Sequence, residues 1–201
     1  MALMNKRRRM TSFAIGLALL GVGIAAVAAG CAGAPEPRFY TLDMTPSGTV
    51  EPTVNVEVDR LRAQDALTRV DILVKKSPTQ IEYYALDRWA ASLSELVPEK
   101  LRSELGSHAK DRPTFVVNGE ILAFEQVDRE SGADAHIKLD LTYHQEGESR
   151  YDTPLFRKQY ELFAPADSAH PSAVVEALSK GLETIAAEIA HDASALPASG
   201  G

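Results

Sequence analysis

Polar and apolar side chains alternate one for one at several places in this chain, a period that fits strands with one wet face and one buried face. Thr53-Val54-Asn55-Val56-Glu57-Val58-Asp59 is the cleanest case and turns its valines inward. Val70, Ile72 and Val74 repeat the pattern, Lys75 to Thr79 reads as a turn, and Ile81 to Leu86 returns as the second arm of a hairpin. Arg38 to Leu42 is a short aromatic strand. Further along, Thr114 to Val127 is long and apolar. Ala135 to Gln145 sets Ile137, Leu139, Leu141 and Tyr143 on one face, and Leu155 to Ala164 follows.

Two stretches change to the helical period. Trp89, Leu93, Leu96, Val97, Leu101 and Leu105 form one helical face, with Gly106 as its stop. Pro98 interrupts that face and predicts a kink or two short helices, because proline removes a backbone donor. Pro171 opens the last element at a position where its missing N–H costs nothing. Val174, Val175, Leu178, Leu182, Ile185, Ala186 and Ile189 then keep one apolar stripe. Strands, helix, strands, helix predict an α+β domain: a mostly antiparallel sheet with two main helices packed on one face.

A different kind of segment precedes the domain. Lys6-Arg7-Arg8-Arg9 is followed by no charged residue until Glu36, and Phe13 to Ala29 is apolar and ends in small residues. A basic head, an apolar middle and a small-residue end make a signal peptide. Thr11 to Gly30 could just span a bilayer, but it is Ala- and Gly-rich and inserts weakly. Ala28-Ala29-Gly30-Cys31 resembles the lipobox of bacterial lipoproteins, in which cleavage before the cysteine leaves it lipidated as the new N-terminus. Cys31 is the sole cysteine, so it has no disulfide partner within the chain. The expected organisation is a signal peptide over 1–30, a lipidated Pro- and Ala-rich linker over 31–37, a domain over 38–194 and a flexible tail over 195–201.

Removing residues 1–30 takes away four cations and no acid, leaving 17 Lys+Arg against 28 Asp+Glu and a net charge of −11. Nucleic-acid binding needs a basic footprint, which this balance lacks. The chemistry-bearing motifs are equally sparse. Gly21-Val-Gly23-Ile-Ala-Ala26 falls inside the signal peptide with no strand before it, and there is no Gly-x-Ser-x-Gly. His136 and His144 share the polar face of one strand, about 27 Å apart at strand rise, too far for one ion. They read as solvated surface histidines, as do His108, His170 and His191. The acids Glu125, Asp128 and Glu130 read as solvated turns. No catalytic residue, cofactor or metal site is expected.

One segment carries a family resemblance. Phe39-Tyr40-Thr41-Leu42, the basic turn Lys75-Lys76-Ser77-Pro78, the strand pair Tyr83-Tyr84 and Arg88-Trp89-Ala90 resemble the pattern of the ABC-type transport auxiliary lipoproteins, the PqiC-like group. Gly119 to Phe124 and the Ala-rich last helix fit as well. In that pattern Arg88-Trp89-Ala90 opens the first helix. The resemblance makes Tyr40, Ser77, Pro78, Tyr84, Arg88 and Trp89 the family-motif residues, structural or partner-facing. It implies a non-enzymatic subunit of an ABC/MCE-type lipid transport system, with an MCE-domain protein and an ABC permease and ATPase as partners. Ala32 after the cysteine favours the outer membrane. The oligomeric state is open, a homo-oligomer included. The alternative is a periplasmic lipid-binding lipoprotein that carries an acyl chain between sheet and helices.

Overall fold

The computed structural model describes residues 35–48, 50, 53–106, 108–149 and 151–197. The expected signal peptide, the expected cleavage point after Gly30 and the expected lipidation site Cys31 lie outside the described residues.

The unit Pro37–Gly201 is an α+β domain. Its strands are β1 (Arg38–Tyr40), β2 (Asn55–Ala63), β3 (Asp71–Ser77), β4 (Gln80–Trp89), β5 (Thr114–Arg129), β6 (Gly132–Gln145) and β7 (Phe156–Ala166). Its helices are α1 (Leu93–Leu105) and α2 (Pro171–Ser194), with a 3-10 turn at Asp65–Leu67. The strands join in one sheet in the order β1-β4-β3-β5-β6-β7, and β2 also pairs with β5. The long ladders β5–β6 and β6–β7 and the β3–β4 hairpin are antiparallel. The pairings β1–β4, β2–β5 and β3–β5 are parallel, and two of them are short.

Helix α1 packs on β2, helix α2 packs on β6 and β7, and the helices touch each other. The inward side chains of β6, Ile137, Leu139, Leu141 and Tyr143, meet Val174, Leu178, Leu182, Ile185 and Ile189 of α2, none of them more than 1% exposed. Each such side chain contributes about 1.5–3 kcal/mol of transfer free energy, which holds α2 to the sheet. Leu196, at the start of the tail, also packs against the core.

One expectation for the first helix needs correction, and one of the two alternatives at Pro98 is excluded. Trp89 ends β4 rather than joining α1: it pairs with Tyr40 of β1, and its N–H donates to the Val70 carbonyl at 2.7 Å. Arg88-Trp89-Ala90 therefore closes a strand and does not open a helix. The helix starts after Ser92, where the Glu95 carboxylate accepts the Ser92 N–H at 3.2 Å in a capping box. Pro98 produces no division into two helices. It sits in the first half of a continuous α1 with its ring buried, where it removes one backbone bond and leaves the rest. Gly106 stops the helix as expected, with φ +77° and its N–H on the Arg102 carbonyl.

Period two also fails locally in β3. Ile72, Leu73 and Val74 are all buried and Val70 is 45% exposed. The register shifts between Asp71 and Leu73, so successive residues there do not simply alternate faces.

Candidate functional site

Four of the six motif residues gather on β1 and β4 at one edge of the sheet. Parallel pairing sets Arg38 beside Asp87, Phe39 beside Arg88 and Tyr40 beside Trp89. Asp87 is buried at 3% exposure. Arg38 grips it through Nε at 2.7 Å and Nη2 at 2.8 Å, and the Tyr40 hydroxyl donates to Oδ1 at 2.9 Å. These donors hold the Asp87 carboxyl below the usual carboxylate range, the Arg38 hydrogen bonds contributing most. Burial and the bond to Asp87 push the Tyr40 hydroxyl up.

Arg88 donates to Asp71 at 3.1 Å across the β3–β4 pair, and Arg69 reaches the same carboxylate at 2.9 Å. The Tyr84 hydroxyl lies 2.8 Å from Gln126 Oε1 and 3.0 Å from the Ala169 carbonyl. That ties β4 to β5 and to the loop before α2, and burial raises its pKa. Trp89 is core and packs tilted against Phe124, with centroids 5.6 Å apart. Its role is to hold the strand end on the core.

Ser77 and Pro78 stand apart. They form the β3–β4 turn, where Ser77 Oγ accepts the Thr79 N–H at 3.4 Å. The length of β4 puts about 30 Å between that turn and Trp89. The motif residues thus form a clamp at one end of the hairpin and a turn at the other. Asp87 and Asp71, the acceptors at the centre of the clamp, were missed in the sequence. A local signal existed only for Asp71, two residues after its partner Arg69; Asp87 meets Arg38 across 49 positions, which no local pattern encodes.

The clamp is structural chemistry. Every oxygen of Asp87 is occupied by a donor, so the carboxylate anchors β1. Next to it, Phe39 is 63% exposed and Val70 45% exposed, and they leave an apolar rim beside the first strand of the domain.

The outer face of the sheet departs from the expected picture of solvated histidines. His136 and His144 are buried, at 6% and 1% exposure. Long neighbouring side chains lie flat over this face: the Phe163 ring stacks on His136 with centroids 4.1 Å apart, and His136 bridges Glu125 at 3.1 Å and Glu161 at 3.0 Å. Glu125 is therefore buried rather than a solvated turn residue, while Asp128 pairs with Lys76 at 2.7 Å. His108, His170 and His191 are exposed. Among the described residues no group of three or more His, Cys, Asp or Glu is placed to hold a metal. No described helix is long and apolar enough to cross a membrane.

Comparison with solved structures supports the fold. One similar structure, an uncharacterized protein, aligns with a TM-score of 0.60 at 16% identity and covers 80% of this chain and all of its own. Another, a Xanthomonas campestris protein of the DUF330 family, aligns with a TM-score of 0.60 at 18% identity and covers 76% of this chain and 92% of its own. A comparison with curated protein sequences finds no match. The family model described as the ABC-type transport auxiliary lipoprotein component matches residues 40–190, from the clamp tyrosine to the last turns of α2. Motif, fold and family match agree, and the chain belongs to the ABC-type transport auxiliary lipoprotein component family.

Proposed function

We propose that this protein is a non-enzymatic, outer-membrane lipoprotein subunit of an ABC/MCE-type transport system. Its domain docks or stabilises the trans-envelope lipid conduit and faces the periplasm. The family match over residues 40–190 carries the reading, because the family is described as an auxiliary lipoprotein component of ABC-type transport. The lipobox-like end at Cys31 supplies the anchor, and Ala32 favours the outer membrane. Several acyl chains on one cysteine hold a protein stably on a bilayer. The clamp serves such a tether: β1 begins seven residues after Cys31, and Arg38 and Tyr40 lock it to Asp87. Load on the tether would pass into the sheet through those bonds.

The alternative, an acyl chain carried between sheet and helices, meets a physical obstacle. That space is filled by Ile137, Leu139, Leu178, Leu182 and Ile185, all sealed from solvent. An acyl chain there would have to displace close-packed core, which costs its contacts. A delipidated protein that takes up phospholipid in stoichiometric amount by core displacement would revive it.

Crosslinking in cells followed by purification tests the docking reading. An MCE-type protein, a permease or an ATPase is expected to come down. Recovery of none of them removes the basis of the proposal. Labelling with a radioactive fatty acid tests the anchor: Cys31→Ser is expected to lose the label, and equal label in both proteins overturns it.

A further inference from the structure

We propose that a groove on the helix-free face of the sheet binds a phosphate group, with Arg60 as its principal contact and Arg62, Arg157, Asn118 and Thr142 around it. The groove has a volume of about 400 Å³ and lies across β2, β5, β6 and the start of β7, with Tyr151 at its rim.

Backbone irregularities create it. The β2–β5 register shifts between Val58 and Leu61, and around this bulge Val58 and Leu61 are buried while Asp59, Arg60 and Arg62 are exposed. Strict alternation would have sent Arg60 to the core side with Val58; the extra residue delivers both arginines to one face. Asn118 lies opposite the bulge, and beside it Gly119, the partner of Leu61, has φ +153°; a Cβ placed there would come within 2.0 Å of the Asp140 carbonyl oxygen. Only glycine fits there, and its backbone lines the groove between Asn118 and Glu120.

The charges leave one cation unspent. Arg157 forks onto Asp140 at 2.9 and 2.5 Å, and Arg62 pairs with Glu120. Arg60 has no hydrogen bond or ion pair among the described residues, whereas Arg62 and Arg157 keep unused N–H donors. The groove is therefore net positive by one charge on a chain whose net charge is −7. Asn118 Nδ2 is buried beneath it with no acceptor, while the Asn118 Oδ1 accepts the Thr142 hydroxyl at 2.7 Å. Donors from three strands converge on a place that offers an anion one unpaired guanidinium.

A phosphodiester suits this geometry better than an acidic peptide. β5 is paired on both edges here, with β2 and β6, and on the other edge of β2 the Val58 and Asp59 carbonyls already accept from Arg102, so the main chain beside Arg60 offers a peptide no open strand edge. A tetrahedral anion with one charge and several acceptor oxygens matches separated donors and a single excess cation. The shared chemistry is a phosphate ester, supplied either by a glycerophospholipid headgroup or by a free phosphate ester, and the titration below separates the two sources. A lipid source rests on the transport reading above; the phosphate site itself does not.

Phosphorus NMR of inorganic phosphate, glycerol 3-phosphate and dihexanoyl phosphatidylglycerol, each titrated with the full-length protein in nonionic detergent, tests the site. Line broadening by wild type is expected, with binding by Arg60→Ala weaker by about ten-fold or more, as for a lost charge-assisted bond. Thr142→Val, with an unchanged melting temperature, is expected to weaken binding less. Tighter binding of the phosphatidylglycerol identifies a lipid source, and equal affinity for glycerol 3-phosphate identifies a free phosphate ester; both support the site. Broadening that is the same in folded Arg60→Ala overturns it, as does no broadening up to about 10 mM ligand, the weak limit of specific binding. A hexaglutamate peptide that binds at Arg60 while the phosphorus lines stay sharp also overturns it, in favour of a protein partner. Crosslinked recovery of the transporter is scored in parallel: its loss with phosphate binding intact defeats the docking reading alone.

Discussion

Lys100→Met should destabilise the domain by an amount that shrinks as the pH is lowered. Lys100 and Glu104, one turn apart on α1, are both sealed from water. Lys100 Nζ donates to Glu104 at 2.6 Å, to the Thr45 carbonyl at 3.1 Å and to Glu183 of α2 at 3.2 Å. The cluster joins both helices to the segment that follows β1. Ser47 also donates to Glu104, through its N–H at 3.0 Å and its hydroxyl at 2.5 Å. Removing one partner of a buried ion pair costs about 3–5 kcal/mol because the other charge is stranded. Glu104 keeps its Ser47 donors and Glu183 is 26% exposed, so the lower end applies. About 3 kcal/mol corresponds to a fall of about 6–12 °C in Tm for a domain of this size.

The sign of the pH effect follows from Glu104. Burial alone pushes its carboxyl up, but the bonds from Lys100 and Ser47 prevail and hold it below 4.5. A depressed carboxyl contributes stability that is complete above its unfolded value and is lost as pH falls through its folded value. Wild type therefore keeps this contribution down to about pH 5. In Lys100→Met the largest lowering influence is gone, burial dominates, and Glu104 takes up a proton at higher pH, which relieves the stranded charge. Calorimetric melting at about pH 7.5 and about pH 5 should show the gap between the two proteins narrowing. Lys100→Met/Glu104→Leu should recover part of the loss at neutral pH. A variant melting within about 2 °C of wild type, or a gap that widens on acidification, would refute the reasoning.

Other outcomes can be checked with simple variants. Gly119→Ala should cost about 3 kcal/mol or more, since its Cβ would collide with the Asp140 carbonyl and its φ is unsuited to alanine; an unchanged urea midpoint contradicts this. Asp87→Asn should free β1, read as faster hydrogen exchange of the Ala90 amide, which bonds the Tyr40 carbonyl at 2.7 Å. The wild-type clamp should hold at neutral pH and weaken only as pH falls through the lowered Asp87 value, below 3.8; exchange at Ala90 that is unaffected by the substitution would sink the clamp assignment. Trp89→Ala should cost about 3–5 kcal/mol as a buried aromatic truncation in the core, measured by chemical denaturation. A loss below about 1 kcal/mol would show that Trp89 is not packed against Phe124 as described.

Local patterning by itself determined much of this protein. The alternation in β2 and β6, the apolar run of β5, the proline start of α2 and the glycine stop of α1 are decided by residues a few positions apart, so they are legible in one dimension. The same holds for the basic head and small-residue end of the N-terminus, and for the family motif. The tertiary structure decided what depends on distant partners. Trp89 continues a helical stripe in the sequence, yet pairing with Tyr40, 49 positions earlier, makes it the end of a strand. His136 and His144 alternate onto the polar face, yet both are buried, His136 beneath Phe163 and between Glu125 and Glu161 of the neighbouring strands. The bulge that brings Arg60 and Arg62 to one groove arises from the register between β2 and β5, which no local period encodes. Lys100 is a charged residue four positions after Leu96, and it becomes the centre of a sealed cluster because α2 and the segment after β1 close over it. Secondary structure follows from short-range sterics and burial period, whereas the environment of a polar side chain is set by whatever the fold packs against it.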